Sequence, residues 1–307
     1  MQLAWCKEPM GLLESRTRRG CLLKIRKAVI TAAGRDQRHL VLQSVVDRDG
    51  IAKSALRVLL DEAARAGVHE IAIVHHPQDH ERYSAAAGDP GPRLAFLPQQ
   101  QPRGYADALF TAREFVAGES FLHFVGDHLW VSHGERSAAQ ELVAVAESTD
   151  GAGATISAVQ STREAHLRLY GAVGGARVAN SNGLYSVDAV LEKPTPTVAE
   201  QSLFVPGLRT GHYLCFFGMH ILPPSIFTHL DAVLRVSPSA RPSLTDALAR
   251  LLGNERWFAC EVAARRFNLG ETYGLLAAQL SLGLAGKDKE EVLTLLVDLL
   301  AARQRGP

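Results

Sequence analysis

Gln99-Gln100-Gln101-Pro102-Arg103-Gly104-Tyr105 lies between two strand-like runs, and its reading decides the fold. Upstream is Lys27-Ala28-Val29-Ile30-Thr31-Ala32-Ala33-Gly34-Arg35, a short β-branched run that enters a glycine turn. Downstream is Phe121-Leu122-His123-Phe124-Val125-Gly126-Asp127, an apolar run that ends in an acid. Working outward, Ile71 to Val74 reads as a second strand, and the segment Ser54 to Ala66 lies between it and the first. There Leu56, Leu59, Leu60 and Ala63 fall at i, i+3, i+4 and i+7, one face of a helix, and Gly67 supplies a left-handed stop. Leu94 to Leu97 makes a third strand, Ala106 to Phe115 a helix and Phe121 to Val125 a fourth strand. Strands alternating with helices predict a mostly parallel α/β sheet with helices on both faces and ligands beyond the carboxyl ends of the strands.

After Asp127 the pattern loosens. Ala154 to Val159, Gly171 to Val173, Val187 to Leu191 and Leu214 to Ile221 are strand-like with longer loops between them, which predicts a smaller mixed part closing over the sheet. Leu244 to Leu252 and Tyr273 to Leu284 are helix candidates. Glu290 to Arg303 carries Val292, Leu295, Leu296 and Leu299 at helical spacing, a terminal amphipathic helix that packs on the domain or on a second subunit. The expected organisation is a poorly ordered extension over residues 1 to 23, a domain over 24 to 284 and the terminal helix over 285 to 307.

Bulk properties exclude several function classes. Lys plus Arg number 33 against 32 Asp plus Glu, so no long-range field favours nucleic acid or an acidic membrane, and an anionic substrate must be held by local groups. The cysteines (Cys6, Cys21, Cys215, Cys260) have no C-x-x-C spacing and read as reduced thiols of a cytoplasmic protein. No apolar run is long enough to span a membrane. His75, His76 and His80 are close in sequence, but adjacent strand residues face opposite ways and cannot easily share an ion. No Ser-His-Asp order, phosphate-binding Walker loop or G-x-G-x-x-G is present.

The glycine turn after a strand, the Gln-x-x-x-Arg-Gly turn opening a helix, and the strand ending in Asp occur in the order seen in sugar-nucleotide pyrophosphorylases. The chain resembles the UTP:glucose-1-phosphate uridylyltransferases over about residues 25 to 284. The resemblance implies a Rossmann-like nucleotide-diphospho-sugar transferase fold, with UTP and glucose-1-phosphate as substrates, Mg²⁺ as cofactor, and UDP-glucose and pyrophosphate as products. By the same resemblance, Ala33, Gly34 and Arg35 belong to the loop that cradles the triphosphate, with Arg38 and Lys53 as further cations. Gln99 would read the uracil edge, because its amide offers both a donor and an acceptor. Gly104 would let the backbone approach the base. Asp127, following Gly126, would hold Mg²⁺, and Asn268 stands where the family usually has a second acid. Glu192 would take sugar hydroxyls and Lys193 the sugar phosphate, beside Tyr170-Gly171 and Gly218. Thr245 or Asp246, in Leu244-Thr245-Asp246-Ala247, is expected to cap a helix.

The chain departs from the family pattern at three places. The usual Gly-x-Gly-Thr-Arg loop reads Gly34-Arg35-Asp36-Gln37-Arg38, the Pro-Lys pair that follows it is missing, and Asn268 is neutral. These departures favour an alternative, a catalytically silent relative that binds a sugar nucleotide and regulates a partner; a partner subunit that completes the phosphate site is another. Among enzymes a pyrophosphorylase using dTTP stands beside the UTP reading, because nothing fixes ribose against deoxyribose.

Overall fold

The structure is a computed structural model that describes residues 23–35, 37–101, 103–132, 134–148, 153–236 and 241–304. The expected N-terminal extension, with Cys6 and Cys21, and the loop residue Asp36 lie outside the described residues, except for Leu23.

The first half is built as its periodicity predicts. β1 (Lys27–Thr31) leads through the hairpin of β2 (Ser44–Val46) and β3 (Ala52–Ser54) into α1 (Ala55–Arg65). Then follow β4 (Glu70–His75), α2 (His80–Ala87), β5 (Arg93–Pro98), α3 (Tyr105–Phe110), α4 (Arg113–Val116) and β6 (Phe121–Val125). The Ser54 side chain accepts the Arg57 N–H and caps α1, and Gly67 takes the left-handed conformation just past its end (φ 86°). β1 pairs in parallel with both β4 and β6, Ile30 opposite Ile73 on one side and Phe124 on the other. All of β1 is buried, because helices cover both faces of the sheet. Ile30 packs into a core with Leu56 and Leu59 of α1; its neighbour Val29 packs into a second core with Leu109 of α3.

The second half contains β7 (His128–Ser132), α5 (Ala138–Ser148), β8 (Thr155–Arg163), β9 (Gly171–Arg177), β10 (Leu184–Glu192), α6 (Pro196–Ser202) and β11 (His212–Leu222). It continues through α7 (Ile226–Val236), α8 (Leu244–Ala249), β12 (Trp257–Glu261), β13 (Ala264–Asn268), α9 (Gly274–Leu284) and α10 (Lys289–Gln304). Among the described residues the main sheet has nine strands in the order β5-β4-β1-β6-β11-β8-β12-β10-β9.

This sheet is mixed, which corrects the expectation of a mostly parallel one. Parallel pairing holds from β5 to β6 and between β8 and β12; β11 runs antiparallel to both β6 and β8, and β10 antiparallel to both β12 and β9. Parallel neighbours require a crossover of a dozen or more residues, which helices supply through the first half and, with α7 and α8 on the way, between β8 and β12; the other second-half neighbours pair antiparallel.

Strand lengths position the site. β11 pairs with β6 only through Met219 to Leu222, and its earlier residues run past the end of β6 to pair with β8 and, at Leu214 and Cys215, with β9. The register shifts between Phe216 and His220, where Gly218 has φ 83°. β9 and β10 are thus carried over the carboxyl ends of β1 and β6. At the far end of the chain, Val292 and Leu296 of α10 are half-buried, whereas Leu295 and Leu299 are exposed.

Candidate active site

A cavity of about 640 Å³ opens where the carboxyl ends of β1, β5 and β6 meet the β9–β10 overhang. Its floor is the turn after β1: Thr31, Ala32, Ala33, Gly34, Arg35 and Gln37 all line it. Gly126 makes this floor possible. A Cβ there would lie 2.8 Å from Ala32 Cβ and 2.9 Å from the Thr31 carbonyl, so only glycine lets the ends of β1 and β6 close together.

Two expected cations do not face the cavity. Arg38 directs its guanidinium to the buried Asp79 at 3.2 Å, and Lys53 sits between Asp47 at 2.5 Å and Asp61 at 2.9 Å. Neither residue is on the lining, and in each case a nearby carboxylate has taken the charge that the resemblance assigned to phosphate. Among the described residues, the Lys and Arg side chains on the lining are Arg35, Arg168, Lys193 and Arg241. Arg168 lies in the last turn of a 3₁₀ helix that precedes Tyr170, and the Arg241 backbone packs against Gly104. Sequence reading missed both, because an arginine in a loop carries no periodic signal.

Gln99 follows β5, nearly fully buried, with its N–H on the His75 carbonyl at 2.9 Å. Its side-chain Nε2 donates to Asp107 Oδ2 at 2.8 Å and to the Gly104 carbonyl at 3.2 Å. Gly104 has φ 109°, a conformation that favours glycine, and stands at the N-cap of α3.

Asp127 and Asn268 are brought side by side. β13 pairs with β7 so that Asn268 lies opposite His128, and the Leu269 N–H donates to the Asp127 carbonyl at 2.8 Å. Burial works to raise the Asp127 carboxyl, but His128, donating through Nδ1 at 2.7 Å, and the more distant Lys193 outweigh it and hold the group below its ordinary value. Asn268 Oδ1 accepts the Gly270 N–H at 2.8 Å, which fixes the amide oxygen. A carboxylate and a fixed amide oxygen on neighbouring backbone segments of one cavity lining are hard-oxygen donors of the kind that suits Mg²⁺. Among the described residues no group of three or more His, Cys, Asp and Glu could hold an ion alone, so water and substrate phosphates would complete the shell.

The overhang supplies the remaining groups. Glu192 ends β10 and accepts from Thr245 Oγ1 at 2.5 Å, with Lys193 Nζ 3.8 Å from its other oxygen. Thr245 therefore orients Glu192 and is not the cap expected of it. Ser243 is the N-cap of α8, and Asp246 closes the capping box with it. Gly171 lies opposite Glu192, where a Cβ would come within 2.6 Å of the Phe216 ring. The Tyr170 hydroxyl donates to Glu271 at 2.7 Å, and the Arg266 guanidinium stacks 3.4 Å from the Tyr170 ring centre. Tyr170 thus offers the cavity a ring and a backbone carbonyl, the latter accepting the Lys193 N–H. A Cβ on Gly218 would meet Val125 Cγ2 at 2.6 Å. His220 lines the cavity, with Nδ1 2.8 Å from Ser157 Oγ, which also accepts Trp257 Nε1–H. Burial pushes His220 down to about 3.

A mixed α/β sheet whose strand ends hold a glycine turn, an acid-and-amide pair and a polar overhang defines a nucleotidyltransferase-type fold. Residues 50–278 match the Nucleotidyl transferase family, and the chain belongs to it. It is similar to the UTP--glucose-1-phosphate uridylyltransferase of Streptococcus pyogenes, with 27% identity over 92% of this chain and 97% of the relative. It is also 28% identical to UTP--glucose-1-phosphate uridylyltransferase 2 of Streptococcus pyogenes serotype M3 (strain ATCC BAA-595 / MGAS315), over 86% of this chain and 92% of that one. Among solved structures it resembles UDP-glucose pyrophosphorylase complexed with UDP-glucose (TM-score 0.67, 21% identity, covering 83% of this chain and 97% of the other). A UTP-bound UGPase from Acinetobacter baumannii has a similar fold (TM-score 0.68, 22% identity, covering 90% and 100%). Among the described residues no helix is long and apolar enough to cross a membrane.

Proposed function

We propose that the chain transfers the uridylyl group of UTP to glucose-1-phosphate. A phosphate oxygen of the sugar phosphate attacks the α-phosphorus, the bond to the bridging oxygen of the β-phosphate breaks, and pyrophosphate leaves with that oxygen. UDP-glucose is the product.

The observation that carries this reading is the order of groups along the sheet. Gln99 follows β5, the glycine turn follows β1, Asp127 lies just past β6, and Glu192 and Lys193 hang over them from the end of β10. Base, phosphates, metal and sugar follow one another in the same order in a sugar nucleotide laid across the strand ends, which are spaced about 4.8 Å apart. The relatives' names point to the same substrates.

In this reading the turn from Ala33 to Arg35 holds the triphosphate, and Gln99 and Gly104 hold the base. Asp127 and Asn268 would hold Mg²⁺, which supplies charge neutralisation at the reacting phosphates. Lys193 binds the sugar phosphate from the side opposite the turn, Glu192 accepts from sugar hydroxyls, and Gly171 and Gly218 keep the overhang close. Aligning two anions that repel each other is the main task, and it needs no protein nucleophile.

One observation favours a second reading, a sugar-nucleotide binder without turnover: Arg38 and Lys53 are committed to acids, so the phosphate side of the cavity is short of cations. The deciding experiment follows pyrophosphate release with Mg²⁺, crossing UTP, dTTP, CTP and ATP against glucose-1-phosphate and its epimers. Turnover with UTP and glucose-1-phosphate is expected. Saturable UDP-glucose binding without turnover by any pair would establish the binder, and preference for dTTP would reassign the base. Exposed Leu295 and Leu299 support pairing of two copies through α10, which sedimentation would test by giving a dimer that Leu295→Glu converts to monomer.

A further inference from the structure

We infer that Asp107 is a positioning residue that sets base selectivity by locking the Gln99 amide in one of its two orientations. The inference rests on the base-reading role proposed above for Gln99. A glutamine amide can turn over, presenting either a carbonyl or an NH₂ group to the cavity, and the two choices recognise opposite base edges. Here both groups that meet the Gln99 nitrogen are pure acceptors: the Asp107 carboxylate at 2.8 Å and the Gly104 carbonyl at 3.2 Å. Turning the amide would set its oxygen against two other oxygens, so the hydrogen-bond partners themselves dictate the orientation. Asp107 is held in turn by Arg103, whose Nε and Nη2 lie 3.0 and 2.6 Å from the other carboxylate oxygen. Gln99 and Asp107 are both buried, and the Gln99 backbone is pinned to β4 through the His75 carbonyl.

Gln99 Oε1 is then the atom presented to the cavity, with no partner among the described residues. An acceptor at that place welcomes the N3–H of a uracil or thymine ring and repels the N3 lone pair of cytosine. Gln99 thus acts through a single acceptor, not through the donor-acceptor pair expected from its amide alone. Asp107 touches no substrate, and its contribution is the choice of which end of Gln99 does.

The test is Asp107→Asn, which is isosteric with the native side chain. Arg103 would claim the Asn oxygen, leave the Asn NH₂ facing Gln99, and so favour the turned amide. Calorimetric titration of UTP and CTP in Mg²⁺ gives the selectivity as a ratio of dissociation constants, without relying on turnover. The UTP-over-CTP preference is expected to fall about tenfold or more in Asp107→Asn, consistent with reversing one buried hydrogen bond. It should fall to an intermediate value in Asp107→Ala, where neither orientation is enforced. Equal weakening of both nucleotides, with the ratio unchanged in both variants, would mean that Asp107 only holds α3 in place and would overturn the inference. A wild-type chain that binds UTP and CTP alike would overturn the base-reading role of Gln99 together with it, whereas an unchanged ratio overturns the role of Asp107 alone.

Discussion

The two walls of the cavity hold charge differently. The wall from β5, β1 and β6 is made mainly of backbone and neutral groups: the turn through Ala33 and Gly34, the Gln99 amide, and one cation, Arg35. The opposite wall, built from the β9–β10 overhang and the segment before α8, carries Arg168, Lys193, Arg241 and Glu192. The difference teaches where a triphosphate would find compensation in this chain. With Arg38 and Lys53 tied to carboxylates and Arg35 alone on the near wall, most of the positive charge on the lining lies across the cavity, which would couple binding of the sugar side to neutralisation of the nucleotide. Asp127, at the seam, should be the most sensitive position: Asp127→Ala is expected to lower kcat by about a thousandfold or more, with an unchanged melting transition. Pyrophosphate release in Mg²⁺ checks this, and turnover within tenfold of wild type would move the metal elsewhere.

Lys193→Ala sets the walls against each other directly. It should cost about a hundredfold in kcat/KM, whereas Arg38→Ala should change kcat/KM less than about threefold and instead lower stability by about 1 kcal/mol through the lost contact with Asp79. Equal kinetic losses in the two variants would mean that Arg38 leaves Asp79 when nucleotide binds, and the contrast between the walls would fail.

A smaller effect is expected inside the overhang. Thr245→Val removes the hydroxyl that holds Glu192 while keeping side-chain volume. KM for glucose-1-phosphate should rise about fivefold to tenfold with little change in KM for UTP, as one hydrogen bond to a charged group is lost. Steady-state kinetics varying each substrate in turn separates the two, and a rise confined to UTP would place Glu192 on the nucleotide.

The same contrast governs what could be read from the sequence. On the β1 side the signals are periodic: the Val29-Ile30 run, the Leu56-Leu59-Leu60-Ala63 stripe and the acid ending Phe121 to Val125 each have one physical reading, and they lead to the turn, Gln99 and Asp127. The overhang depends on a pairing of distant strands. That β11 outruns β6 and lifts β9 over the cavity is fixed by long-range register, which no local pattern encodes. Strands β7 and β13, which bring Asn268 against Asp127, are not among the strands expected from the sequence, and Asn268 is expected at the site only through its motif. Arg38 and Lys53 failed for a related reason. A cation in a loop announces its charge, but its partner, Asp79 or Asp61, is chosen by packing.

The smallest expected effect concerns what lies under the cavity. His123 and His220 are buried and stacked 5.9 Å apart, with Thr31 and Ser157 as hydrogen-bond partners. Burial holds both rings below the ordinary histidine value, His220 at about 3. The unfolded chain takes up protons at these rings near pH 6.5 while the folded chain does not, so their contribution to stability is complete above that pH and is lost as the pH falls. Each ring should cost at most about 1.4 kcal/mol per pH unit below 6.5, down to its folded-state value. Melting temperature should therefore be flat from pH 8 to 7 and decline toward pH 5. His220→Phe should make the decline shallower, because one of the histidines held low in the folded chain, His75, His123 and His220 among the described residues, is gone. An unchanged slope in that variant would mean that His220 is already protonated in the folded protein. The ring would then face the cavity as a cation, giving the β6–β11 seam a charge that the present contrast between the walls assigns to Arg35 and the overhang.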